Sequence, residues 1–308
     1  ILSMGSKKTA TQRLNLAQAF NPVGLIAGLF VAQQFILKNL KSDDIMDFNA
    51  LDEASKIAIK TYDLLIIRNP YVILGIVLIG IFIVFLVSKM PQSKDENNFP
   101  SIGDTIFALK NNTNYIFGVI AQILYVGAQI MCWTYIYQYA EAISIDAVTA
   151  GYYQMIAFIL FIIGRAIGTY LLKHTNPGKL LLYFAILSIA LIQGTIFITG
   201  IVGLYALVGV SFFMSIMFPT IYGIALSDLT EEQSKIGSAG LVMAIVGGAL
   251  MPKLQGLIID TGGNGVADIK IVGVSEVNFS FTLPLICFLF IAWYGLKVFR
   301  NASQKNNV

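Results

Sequence analysis

The chain is 308 residues long, with 56% hydrophobic and 12% charged side chains against roughly 45–50% and 25% in soluble domains, which excludes a water-soluble globule. Twenty Lys and Arg against 17 Asp and Glu leave a net charge of +3 with no basic tract, which argues against a nucleic-acid partner. One His and two Cys, Cys132 and Cys287, cannot build a His- or Cys-rich metal site, and thiols in apolar runs give a disulfide no evident job.

The chain opens Ile1-Leu2-Ser3, without Met, a basic n-region or a cleavable apolar segment. It reads as neither a secretory precursor nor a natural N-terminus, and an N-terminally truncated chain is expected. Apolar stretches of about 20 residues, enough to cross a ~30 Å hydrocarbon core, fall near 13–37, 70–88, 115–140, 147–172, 178–200, 202–226, 235–259 and 277–299. Eight membrane helices are therefore predicted. Asn15, Gln18, Asn21, Gln33 and Gln34 interrupt the first, which is tolerable where such groups face a cavity or partner helices. The 38–69 connector, with DDIMDFNALDEASKIAIK, reads as a solvated amphipathic hairpin or short helix outside.

Counting connectors alternately, one side carries Lys7, Lys8, Arg13, Lys89, Lys94, Lys110, Lys173, Lys179, Lys235, Lys297, Arg300 and Lys305, the other only Lys38, Lys41, Lys56, Lys60, Arg68 and Lys270. The richer side is cytoplasmic, so both termini are expected there. Six spans follow the long polar connector and two precede it. Two six-helix halves joined by a cytoplasmic loop are the plan of many secondary transporters. On that template residues 1–88 are the remainder of an N-terminal half, carrying its helices five and six. Residues 89–114 are the central loop, 115–300 the C-terminal six-helix half and 301–308 a cytoplasmic tail. The expected fold is an all-α polytopic membrane protein with eight of twelve helices present.

Several strings in this order carry a resemblance: RLNLAQAFNPVG (13–24), AQILYVGAQIMCWTYIYQYA (121–140), GRAIGTYLLKHTNPGKL (164–180), SIMFPTIYGIALSDL (215–229) and GSAGLVMAIVGGALMPKLQG (237–256). Together they resemble helix five, helix seven, the loop between helices eight and nine, helix ten and helix eleven of the fucose/galactose/glucose:proton symporter family of the major facilitator superfamily. The resemblance implies sugar:proton symport by alternating access, with L-fucose the first choice and another hexose the alternative. It further implies a bacterial cytoplasmic membrane, a monomer in the lipid bilayer, no cofactor, and the proton as coupling ion.

A sugar offers hydroxyls that both donate and accept, and an apolar C–H face, so carboxamides and aromatic planes match it. Gln18 and Asn21 share a helix face three residues apart. They bond either a sugar or a neighbouring helix, and the resemblance, whose matching Gln and Asn face the cavity, favours sugar. Gln122, Tyr125, Gln129 and Trp133 step by 3, 4 and 4 along one face, suited to a cavity or, alternatively, to interhelical bonds and interfacial anchoring. Met214, Phe218 and Tyr222 step by four beside Pro219, which removes a backbone bond and marks a bend. They line either the same cavity or an ordinary apolar seam. Met217-Phe218 stand where the family's best-known fucose symporter carries Gln-Tyr, which loosens the identity of the sugar.

Gly164, Arg165, Gly168 and Lys173 fall in the loop motif, to which the resemblance assigns a conformational role, while Pro219 takes one from the bend it marks; by physics alone Arg165 is a snorkelling cation. His174 reads as a loop residue, Lys253 as an outer-face cation, and Gly237, Gly240, Gly247, Gly248 and Gly256 as a helix-packing seam. Proton coupling needs an intramembrane carboxylate, and between 115 and 226 the acids are Glu141 and Asp146, in a connector. The resemblance puts the coupling acids in helices before residue 1. A membrane enzyme would want paired carboxylates or an activated nucleophile in the bilayer; none is visible, and no enzyme is expected. A non-transporting sugar sensor is the remaining alternative.

Overall fold

The computed structural model describes residues 12–13, 16, 21–41, 51–87, 102–263 and 265–306. The chain divides into two compact units, residues 23–98 on the one hand and 1–22 with 99–308 on the other.

In the 23–98 unit, α1 (Asn21–Val31) runs on through a π turn at Ala32–Ile36 and a 3-10 turn at Leu37–Asn39. The next helix, α2 (Glu53–Val87), is 35 residues long, about 52 Å at 1.5 Å per residue, and so exceeds the hydrocarbon core. Residues 53–69, expected as a hairpin or short helix in a connector, are helical and continuous with the span. Two local features explain the difference. The Asp52 carboxylate accepts from the Ser55 N–H at 3.2 Å and caps the helix start, and no Gly or Pro follows until Pro70. There the ring costs only the bond to the Ile66 carbonyl. Asp63, buried on α2, accepts from the Lys41 N–H at 2.9 Å, and the Lys41 ammonium lies 4.1 Å from the Tyr62 ring centroid.

The other unit begins with α3 (Ile102–Asn111) and α4 (Thr113–Thr134), followed by α5 (Ile136–Ala142), α6 (Ala147–Leu171) and α7 (Pro177–Phe197). The helices start at side chains that take the free N–H groups of a first turn. Asn112 accepts from Tyr115 N, Asp146 from Thr149 N, and Asn176 from Gly178 N with Pro177 in the first helical turn. The next apolar run divides into α8 (Ile201–Met214) and α9 (Met217–Leu226). A reciprocal Thr230/Gln233 capping box starts α10 (Glu231–Met243), and a 3-10 turn at Ala244–Val246 leads into α11 (Gly247–Ile259). A hairpin of β1 (Lys270–Ile271) and β2 (Val274–Ser275) follows, with Ile271 opposite Val274. Positive φ at Val272 and Gly273 gives it a type I′ turn. It was not expected from the sequence. Last come α12 (Glu276–Ser280) and α13 (Thr282–Asn306), so the expected tail is helical through Asn306.

Seven helical segments among the described residues are long and apolar enough to cross a membrane: Glu53–Val84, Thr113–Thr134, Ala147–Leu171, Pro177–Phe197, Ile201–Leu226, Glu231–Gly262 and Glu276–Ala302. They match the expected spans from the second onward. Of the first expected span, residues 14, 15 and 17–20 lie outside the described residues, and a shorter apolar helix covers Ile26–Ile36. Around α4 pack α8, α9, α11 and α13, with α13 on α7, α7 on α8 and α8 on α6. Tyr125, Met131, Phe288 and Tyr294 fill the centre. Glycine permits close approaches among these helices: a Cβ on Gly164 would overlap the Phe212 carbonyl, and one on Gly168 the Ile216 side chain. Two glycines four apart are a small-residue seam of the kind that brings membrane helices together.

Candidate functional site

Of the predicted sugar contacts, Gln18 lies outside the described residues, as does the Asn21 side chain. The four residues on α4 are all described, and their common face meets two different surroundings.

Gln122 and Tyr125 are fully buried. The Gln122 amide has no hydrogen-bond partner on either atom among the described residues. Tyr125 donates its hydroxyl to the Met214 carbonyl at 3.0 Å. Its ring meets Phe218 edge-on, with centroids 6.3 Å apart, and Phe218 stacks on Tyr222 at 6.3 Å with planes 18° apart. Phe218 and Tyr222 are half-buried. The structure therefore brings Tyr125, Phe218 and Tyr222 into one ladder of rings with the Gln122 amide on the same α4 face.

Trp133 stands in a different neighbourhood. Its indole N–H donates to Ser211 Oγ at 3.2 Å, and Phe158 and Phe161 meet its ring edge-on at 4.9 and 5.1 Å. The indole is buried in this seam between α4, α6 and α8. Gln129, one turn before it, is half-buried.

The break between α8 and α9 is the other feature of the site. Pro219 has no N–H to offer the Ser215 carbonyl four residues earlier, and the backbone ladder resumes with Thr220 N to Ile216 O at 3.1 Å. Side chains from two neighbouring helices bond carbonyls at this break. Tyr125 on α4 takes Met214 O, and Arg165 Nε on α6 takes Ser215 O at 2.8 Å. The Arg165 side chain is buried, with its guanidinium 4.8 Å from the Phe161 ring. It does not snorkel; a freed carbonyl accounts for its position better than a path to water. Gly164 and Gly168 let α6 approach near enough for the contact. Lys173 is exposed, with its ammonium 5.9 Å from the Tyr170 ring. His174 lies in the turn after α6, and Lys253 is exposed on α11.

Other buried polar groups were not singled out from the sequence. Asn278 Nδ2 donates to the Thr195 carbonyl at 2.8 Å and to Tyr139 Oη at 3.3 Å, and Tyr139 in turn donates to the Ile198 carbonyl. Gln255 Nε2 donates to Ser280 Oγ at 2.9 Å. Their partners are distant in sequence, so the only signal was a polar residue in an apolar run. Among the described residues no three His, Cys, Asp or Glu gather into a metal-binding group. Two cavities of about 250 and 280 Å³ lie away from these residues, one between α3, α4 and α10 and the other along the end of α13.

The Major Facilitator Superfamily profile matches residues 4–252. The L-fucose-proton symporter of Haemophilus influenzae is 49% identical over 306 residues, covering 97% of this chain and 70% of that protein. The L-fucose-proton symporter of Escherichia coli is 32% identical over 312 residues, covering 98% and 67%. A putative glucose/galactose transporter of Helicobacter pylori is 29% identical over 300 residues, covering 97% and 69%. Among solved structures, the crystal structure of FucP, a Major Facilitator Superfamily transporter in the outward conformation, superposes with a TM-score of 0.76 at 29% identity, covering 97% of this chain and 70% of that one.

Proposed function

Because the chain belongs to the Major Facilitator Superfamily, among the fucose and glucose/galactose symporters, we propose that it forms part of a secondary active sugar:proton symporter whose sugar is L-fucose. The chain is an all-α membrane transporter and not an enzyme. Its sugar and its location in a bacterial cytoplasmic membrane, with both termini on the cytoplasmic side, are read from the named relatives and the cation count. The unit is proposed to be a monomer.

One observation carries the sugar reading: the stacked Phe218–Tyr222 pair on α9 packs against the α4 face that bears the buried, unpartnered Gln122 amide, with Gln129 further along it. A desolvated carboxamide without a partner costs several kcal/mol. Sugar hydroxyls supply donors and acceptors together, and the rings offer a plane for the C–H face. Gln18, Asn21 and Trp133 are proposed with them, Trp133 acting through the wall it forms with Phe158 and Phe161. At the joint, Arg165 and Tyr125 secure carbonyls beside Pro219, so α9 can re-aim Phe218 and Tyr222 without exposing bare backbone to lipid. Gly164, Gly168 and Lys173 belong to the same moving segment.

The proton is proposed as coupling ion with no bound cofactor. The segments 113–134, 147–171, 177–197 and 201–226 carry no Asp or Glu, so the carrier is sought on other helices. Uptake of radiolabelled L-fucose into vesicles containing the protein tests the reading. An inward proton gradient should raise accumulation well above the gradient-free level. Accumulation indifferent to the gradient would remove the symport, and galactose or glucose outcompeting L-fucose would reassign the sugar. Binding without accumulation would make the protein a sensor.

A further inference from the structure

The cavity along the end of α13 is not part of the sugar site, and its chemistry is different. Trp293, Lys297, Arg300 and Gln304 step by 4, 3 and 4 residues, which places them on one helix face, and Leu296 and Asn301 complete the walls of a groove of about 280 Å³. The Lys297 ammonium is held 4.0 Å from the Phe117 ring centroid and 5.6 Å from that of Trp293, and these two rings meet edge-on at 4.9 Å. Two rings therefore fix a cation that would otherwise be mobile on its four-carbon stem. Among the described residues no carboxylate lies within ion-pair distance of Lys297 or Arg300. The groove gathers two positive charges, two side-chain amides and an indole N–H, and it lacks a counter-ion.

Ile286, Leu289 and Trp293 continue the same side of α13 toward the middle of the span, and they are 59%, 52% and 44% exposed. The groove thus lies at the end of an exposed apolar track, with a tryptophan at the junction, the residue that favours the headgroup level of a bilayer. We propose that this groove binds the phosphate of an anionic phospholipid headgroup. Lys297 and Arg300 pair with the phosphate, Asn301 and Gln304 bond the headgroup, and the acyl chains lie along Leu289 and Ile286. A free phosphate ion would satisfy the cations and make no use of the apolar track, which is why the lipid is the assigned occupant. Basic pockets at the ends of membrane helices hold anionic headgroups by this combination.

Tryptophan fluorescence reports on the groove directly. The protein is placed in phosphatidylcholine nanodiscs carrying a small fraction of either phosphatidylglycerol or phosphatidylcholine brominated near the top of the acyl chain. The Trp293 signal is taken as the difference between the wild type and Trp293→Phe. Brominated phosphatidylglycerol should quench that signal about threefold more than brominated phosphatidylcholine at equal mole fraction, and the preference should weaken with salt. Lys297→Gln/Arg300→Gln should abolish it. Arg300→Gln alone, at an exposed position, should weaken it and keeps the test valid if the double variant folds poorly. Equal quenching by the two lipids in the wild type, or an undiminished preference in both variants, would overturn the proposal. So would displacement of phosphatidylglycerol by millimolar inorganic phosphate, which would make the groove a free-anion site.

Discussion

Pro70 and Pro219 both stand inside apolar membrane helices, but α2 runs straight through the first while the second lies at the break between α8 and α9. Proline's own chemistry is the same at both: one lost N–H, one freed carbonyl, one crowded turn. The surroundings differ. At Pro70 the helix absorbs the loss and continues to Val87. At Pro219 an arginine from α6 and a tyrosine from α4 bond successive carbonyls, and the α-helical hydrogen-bond pattern lapses at Ser215 and Ile216. A proline permits a break in a membrane helix; donors on neighbouring helices stabilise it.

The largest expected effect is at Arg165. Arg165→Met leaves the Ser215 carbonyl buried without its charged donor, a loss on the order of 2 kcal/mol, of which relief from burying the guanidinium returns a part. The sharper readout is a double-mutant cycle in thermal unfolding. Pro219→Ala supplies an N–H for Ser215, so the cost of Arg165→Met should shrink by about 1 kcal/mol in that background. Equal costs in both backgrounds would separate the arginine from the proline. Repeating the cycle with Pro70→Ala should give no coupling.

Tyr125→Phe removes one interhelical hydrogen bond and keeps the ring against Phe218. The expected loss is about 0.6–1.7 kcal/mol, the range for such bonds in membrane proteins. No change in unfolding temperature would mean that the Met214 carbonyl is served by other means.

The smallest effect is at Asp146, which caps α6 outside the span. Hydrogen bonds from Thr149 hold its carboxyl below the ordinary value of 3.8. A depressed folded-state pKa stabilises the fold above the unfolded value, and that contribution is lost as pH falls through the lowered folded value. Asp146→Asn should therefore flatten the stability profile below about pH 4 and change little at pH 7. A profile unchanged by the substitution would show that the cap does not titrate with folding.

Much of this was legible in the sequence, for reasons that differ between fold and site. Span positions follow from runs of apolar residues; the caps at Asn112, Asp146 and Asn176 that start α4, α6 and α7 came only with the structure. That residues 53–69 run unbroken into the span was not legible, because their charges set them apart from it. An amphipathic helix joined to a span through a proline has no composition boundary to mark the join. The α4 face was readable because spacing alone puts 122, 125, 129 and 133 in line. Its division was not. Ser211 and Met214 lie 78 and 89 residues from the side chains they bond, and spacing along one helix says nothing of what packs opposite. Arg165 shows the same limit: beside a cytoplasmic loop motif a cation suggests water, and only the α6–α8 approach at Gly164 and Gly168 reveals the carbonyl that holds it.

Calorimetric titration of L-fucose into the detergent-solubilised wild type, Gln129→Ala and Tyr222→Ala decides whether the α4–α9 face holds the sugar. The wild type should bind measurably, with each substitution weakening binding about tenfold, the effect of losing roughly 1.4 kcal/mol of hydrogen bonding or ring contact. Unchanged affinity in both variants would contradict this and remove the α4–α9 face from the sugar site.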